Sequence, residues 1–88
     1  MYLHVGNDII IKKSEIIGVF DMENTTVSRT GRNFLKKAQN DGIIINATDD
    51  LPKTYVLTDN NGMRKVYISS ISSNTLLRRY QSSDLTEE

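Results

Sequence analysis

The sequence predicts a small α+β domain: small antiparallel sheets with one main amphipathic helix and a short C-terminal helix. Two observations lead there. Short runs rich in Ile, Val, Tyr and Thr, punctuated by Gly, Asn and Asp, fill residues 1–21 and 43–69, the composition and spacing of strands and turns. Between them, residues 28–41 change their apolar spacing from two to roughly 3.6, the period of a helix packed on one side. A third observation bounds the size of the core. The chain has 88 residues and no cysteine, so a single domain of this length buries only about 60 per cent of its unfolded surface and has no disulfide to add to that.

MYLHVG alternates, with Tyr2 and His4 on one side and Leu3 and Val5 on the other, and Gly6, Asn7 and Asp8 supply a turn. IIIK and EIIGVFD follow as two further aliphatic segments, so the first third reads as a small antiparallel sheet. In the helical stretch Val27, Gly31, Phe34, Leu35 and Ala38 share one face, while Arg29, Arg32, Asn33 and Lys36 share the opposite one. Ser28 is its expected N-cap and Gly42 its expected stop. IIIN resumes strand character, TYVLT and MRKVYIS form a hairpin around DNNG, and SSNTLLRRY closes as a short helix. Ser72 or Ser73 caps that helix, and Leu76, Leu77 and Tyr80 are expected to face inward. Residues 1–80 form the domain; 81–88, QSSDLTEE, read as a flexible acidic tail.

Ile9, Ile10 and Ile11, and again Ile43, Ile44 and Ile45, place apolar side chains on both faces of their strands, so both faces need cover. Subunit packing supplies it in one reading, with Ile9, Ile11, Ile43, Ile45 and the loop residue Leu51 at an oligomer interface. The chain's own helices supply it in the other.

The formal charge is zero but unevenly spread: residues 1–80 hold all 11 Lys and Arg and 8 of the 11 acids, a net +3. That is less basic than a dedicated nucleic-acid binder usually is, unless subunits combine their faces. No aliphatic run approaches the roughly 20 residues that span a bilayer, and the N-terminus lacks the pattern of a signal peptide. A cytoplasmic protein without membrane partners is expected.

Catalysis has little support. His4 is the single imidazole and sits among aliphatic neighbours, cysteine is absent, and the glycines form no phosphate-binding motif. Asp49, Asp50 and Asp59 are carboxylates that turn formation explains. No enzyme, cofactor or metal is expected. The remaining chemistry is cationic: Lys12 with Lys13, Arg29 with Arg32 and Lys36, Lys53 with Arg64 and Lys65, and Arg78 with Arg79. Each can neutralise phosphate, and the effect accumulates when copies are arrayed.

The segment NFLKKAQNDGIIINATDDLPKTYVLTDNNG, followed by VYISSISSNTLLRR, resembles the bacterial extracellular matrix regulatory proteins RemA and RemB. The opening MYLHVGNDIIIKKSEIIGVFD is similar to the RemB branch in particular, and the likeness covers residues 1–80. It implies a fold related to LytTR DNA-binding domains. For RemA-like members it also implies a transcriptional activator of matrix and biofilm genes, assembled into rings whose basic edges bind double-stranded DNA. Such members carry adjacent arginines in the loop after the central strand and another before the segment matching IIGVF. Leu51 and Pro52 occupy the loop positions here, in a loop one residue shorter, and Glu15 stands at the earlier one. Lys53, Lys12 and Lys13 are the nearest cations.

Two functions therefore stand open. One is an oligomeric DNA-binding regulator using Lys12, Lys13, Arg29, Arg32, Lys36 and Lys53 on phosphates. The other is an interaction module or homo-oligomer, able to partner a RemA-like relative, without direct DNA contact.

Overall fold

The computed structural model describes residues 1–22 and 29–81, with side chains of the helix from residue 31 onward. Strands β1 (Tyr2–Gly6) and β2 (Ile9–Lys12) form an antiparallel hairpin, and a single 3-10 turn, Lys13–Glu15, leads into β3 (Ile16–Asp21). Helix α1 (Arg29–Asn40), β4 (Ile44–Asn46), β5 (Thr54–Asn60), β6 (Met63–Ser69) and helix α2 (Ser73–Gln81) follow. The second sheet has the order β3-β5-β6-β4, antiparallel except for β4, which runs parallel to β6. The α+β class is as the sequence predicts. The partition of strands is not: β3 leaves the opening hairpin and becomes an edge of the larger sheet, because the 3-10 turn redirects the chain between the two aliphatic runs.

The turns follow from their residues. Asn7 and Asp8 adopt positive φ (46° and 63°) between β1 and β2, and Asn61 and Gly62 (53° and 87°) join β5 to β6. Two positive-φ residues in succession match the right-handed twist of the flanking strands. The Asp59 carboxylate accepts from the Gly62 N–H at 2.8 Å and fixes the second turn. Helix α1 stops at Gly42 (φ 71°), whose N–H donates to the Gln39 carbonyl while Ile43 donates to Ala38, the paired bonds of a Schellman cap. Helix α2 is capped by Ser72, whose Oγ accepts from the Thr75 N–H at 3.3 Å. The N-cap expected at Ser28 lies outside the described residues, as do residues 82–88.

Both faces of the larger sheet are covered by the chain itself. On one, Val19, Val56 and Tyr67 meet Leu3, Val5 and Ile11 of the hairpin and Leu76 of α2. On the other, Tyr55, Leu57, Val66, Ile44 and Ile68 meet Phe34, Leu35 and Ala38 of α1. Tyr55 stacks on both Phe20 and Phe34, with ring centroids 5.0 and 5.8 Å away. The molecule thus has three layers: hairpin with α2, sheet, and α1. Central strand β5 is buried on both sides from Thr54 to Val56, which is why its sequence reads as a continuous run of strand formers. Leu76 is buried as expected, but Leu77 and Tyr80 are 38 % and 39 % exposed. The nine-residue α2 lies against the small hairpin, and that contact is too narrow to cover all three side chains.

Candidate functional site

Lys12 ends β2 on the outer face of the hairpin, paired in register with Tyr2 and on the same side as Ile10. Lys13 begins the 3-10 turn and swings toward α2, where its ammonium donates to the Arg79 carbonyl at 2.9 Å. A cation at that position also meets the negative end of the helix dipole. The Arg79 guanidinium donates to the His4 carbonyl of β1 at 3.3 Å, and Arg78, exposed, donates to Thr75 Oγ1 at 3.4 Å. Lys13 and Arg79, 66 residues apart in the chain, are thus held together by bonds between hairpin and helix, while Lys12 stands on the hairpin's outer face.

The other predicted cations lie elsewhere. Arg32 and Lys36 are exposed on α1, in the layer on the opposite side of the sheet from the hairpin. Arg29 opens that helix, and its side chain is outside the described residues. The structure therefore spreads the expected phosphate-contacting residues over three places: Lys12 and Lys13 at the hairpin, Arg32 and Lys36 on α1 across the sheet, and Lys53 at the β4–β5 loop. Lys37 and Arg64 are each held by a carboxylate, Asp41 at 3.7 Å and Asp59 at 3.5 Å.

The loop between β4 and β5 is fixed at its base. Thr48 donates its N–H to Asn46 Oδ1 and accepts the Asp50 N–H on its hydroxyl, while the Lys53 backbone bridges Ser69 and Met22 at 2.8 Å each. Its tip projects: Leu51 is 82 % exposed. Lys53 borders a cleft of about 420 Å³ shared with Asp21, Pro52 and the start of α2 at Ser72, Ser73 and Asn74. Asp21 lowers the local positive potential that Lys53 and the helix N-terminus would otherwise set up. Asp59, at the far end of β5, is separated from Asp49 and Asp50 by the length of that strand.

Of the residues expected at an oligomer interface, Ile11 is buried within the chain, Ile9 and Ile43 pack against its two cores, Ile45 is half-buried and Leu51 is exposed. Exposed apolar side chains stand instead at Ile10 (52 %), Ile17 (54 %) and Met63 (65 %). Sequence reasoning placed Arg78 and Arg79 on an ordinary closing helix. The meeting of Arg79 with Lys13 depends on how α2 docks, and nothing in the local sequence signals it.

The fold defines a small α+β domain whose opening hairpin and closing helix are joined through Lys13 and Arg79. The chain belongs to the RemA-like family: the family model described as extracellular matrix regulatory protein A-like matches residues 2–80. It is also similar to extracellular matrix regulatory protein B of Bacillus subtilis (strain 168), with 33% identity over 81 residues, 92% of this chain and 91% of that protein.

Proposed function

We propose that the protein is a non-enzymatic regulator of extracellular-matrix genes that works as an oligomer and contacts DNA phosphates through the patch of Lys12, Arg78 and Arg79, with Lys13 holding the patch together. The observation that supports this reading is the bonding of Lys13 to the Arg79 carbonyl and of Arg79 to the His4 carbonyl, which seats the basic end of α2 on the hairpin. One subunit offers few phosphate contacts. An assembly repeats them, and affinity for a polyanion rises steeply with the number of phosphates neutralised. Among the described residues no helix is long and apolar enough to cross a membrane, and the reading places the protein with DNA in the cytoplasm.

The test is a titration of labelled double-stranded DNA at about 50 and about 200 mM salt, with the oligomeric state fixed in the same buffers by light scattering. An oligomer whose affinity falls steeply between the two conditions supports the reading. A folded oligomer indifferent to DNA at the lower salt overturns it. The second reading is then the better one. In it the loop of Asp49, Asp50 and the exposed Leu51 docks a protein, such as a RemA-like relative, since an apolar tip flanked by acids suits a basic protein surface better than a phosphate.

A further inference from the structure

We propose that the protein associates head to tail: Leu51 of one copy enters an apolar cavity between α1 and the β5–β6 hairpin of the next, and Asp49 and Asp50 meet Lys37 and Arg64 at its mouth. The contact names the subunit interface of the oligomer in the function proposed above and rests on that part of it. It uses none of the cations assigned there to DNA.

The cavity has a volume of about 230 Å³ and is lined by Phe34, Ala38, Ile43 and Leu57. A cavity of about 150 Å³ with an aliphatic and aromatic lining takes up benzene, so this one has room for a leucine side chain. Charge stands at its edge, on Lys37 of α1 and Arg64 of β6, whose side chains are 79 % and 62 % exposed. Each meets one carboxylate, Asp41 at 3.7 Å and Asp59 at 3.5 Å. Pairs this open to solvent hold weakly. An ammonium has three donors and a guanidinium five, so each can take a second carboxylate from a partner.

The β4–β5 loop supplies the complementary piece. Leu51 is 82 % exposed and directly follows two exposed acids. The base of the loop is pinned, through Thr48 to Asn46 and Asp50 and through the Lys53 backbone to Ser69 and Met22. An apolar side chain held out by an ordered loop loses little freedom on docking.

Leu51 cannot fill the cavity of its own chain. β4 follows Ile43 at the cavity and ends at the loop, while β5 leaves the loop at Thr54 and reaches Asp59, the partner of Arg64, about 17 Å further on. Loop tip and cavity therefore lie toward opposite ends of the larger sheet. A contact between two different surfaces repeats from copy to copy, and it closes into a ring or grows as a filament.

The experiment follows association by light scattering and sedimentation over a range of concentrations, with folding verified by circular dichroism. It compares the native chain, Leu51→Ser, Lys37→Glu/Arg64→Glu, and an equimolar mixture of the two variants. Each variant alone should associate about tenfold to hundredfold more weakly than the native chain, the span that burial of one leucine side chain supplies. The mixture should form a heterodimer that grows no further, because it contains one intact loop and one intact cavity. Variants that associate like the native chain overturn the contact and leave the proposed oligomer standing. Weakened variants that do not recover in the mixture overturn the head-to-tail arrangement. A native chain that stays monomeric, but captures a RemA-like relative through Leu51, overturns self-association and gives the loop a different occupant. DNA titration of the same samples tests phosphate binding independently of all these outcomes.

Discussion

Thr54 and Ser69 face each other across β5 and β6, both fully buried, yet their hydroxyls have opposite fates. Ser69 Oγ donates to the Val5 carbonyl at 2.7 Å and accepts the Ile71 N–H at 3.0 Å, tying sheet to hairpin. Thr54 Oγ1 is buried with no hydrogen-bond partner. A lost buried bond costs about 1–3 kcal/mol, whereas replacing an unsatisfied hydroxyl by a methyl group of the same shape is neutral or stabilising. Urea unfolding should show Ser69→Ala destabilised by about 2 kcal/mol and Thr54→Val unchanged or more stable. Leu76, buried between α2 and the hairpin, has a larger share of the core, and Leu76→Ala should cost about 2–5 kcal/mol in the same assay. Burial first, and then the Glu15 carboxylate, raise the Tyr67 pKa above the usual 10.0. The unfolded chain therefore loses this proton at lower pH than the folded one. The resulting stability is fully present below about pH 10 and is lost as pH climbs through the raised folded value. Stability measured up the alkaline limb should fall more gently in Tyr67→Phe, and a slope identical to the native chain's would contradict the assignment.

At the scale of elements, helix α1 was legible because its apolar stripe and its terminating glycine agree: Phe34, Leu35 and Ala38 face the sheet, and Gly42 takes the left-handed conformation. The β5–β6 hairpin was legible for the same reason, its Asn-Gly turn falling between two strand-forming runs. What the sequence could not specify was non-local. Nothing in IIIKKSEIIGVFD says that β3 pairs with β5 across the chain, or that α2 lies along β1 and brings Arg79 to His4. The isoleucine triplets signalled strands, but the expected cover on both faces is not all present within the chain: Ile10 is 52 % exposed, and periodicity cannot say whether a second copy covers it. Gly6 shows how close that neighbour is. Its φ is 132°, and a Cβ there would strike the Ala47 carbonyl, whose residue lies in the same core. Gly6→Ala should therefore loosen the hairpin from the sheet, lowering the thermal midpoint by several degrees, while Gly42→Ala, strained at φ 71° but facing open space, should cost about 1 kcal/mol. Because the basic patch depends on the hairpin's seating, Gly6→Ala should also weaken DNA binding.

On the scale of the whole molecule, a chain of zero formal charge separates its charges in space. The hairpin and α2 present Lys12, Lys13, Arg78 and Arg79; α1 presents Arg32 and Lys36 on the other side; and Asp49 and Asp50 lie in the β4–β5 loop. On the proposed function a duplex would meet one side of a subunit, so the two basic faces make distinguishable predictions, and association through exposed Ile10, Ile17 or Met63 would multiply whichever face is used. The most direct measurement is DNA affinity as a function of salt for three proteins of verified oligomeric state: the native chain, Lys12→Glu/Arg78→Glu, and Arg32→Glu/Lys36→Glu. The account predicts that reversing the hairpin–α2 patch abolishes binding and its salt dependence, while reversing the α1 face leaves both nearly as they were. Loss of binding in the α1 variant, with the hairpin–α2 variant still binding like the native chain, would contradict it.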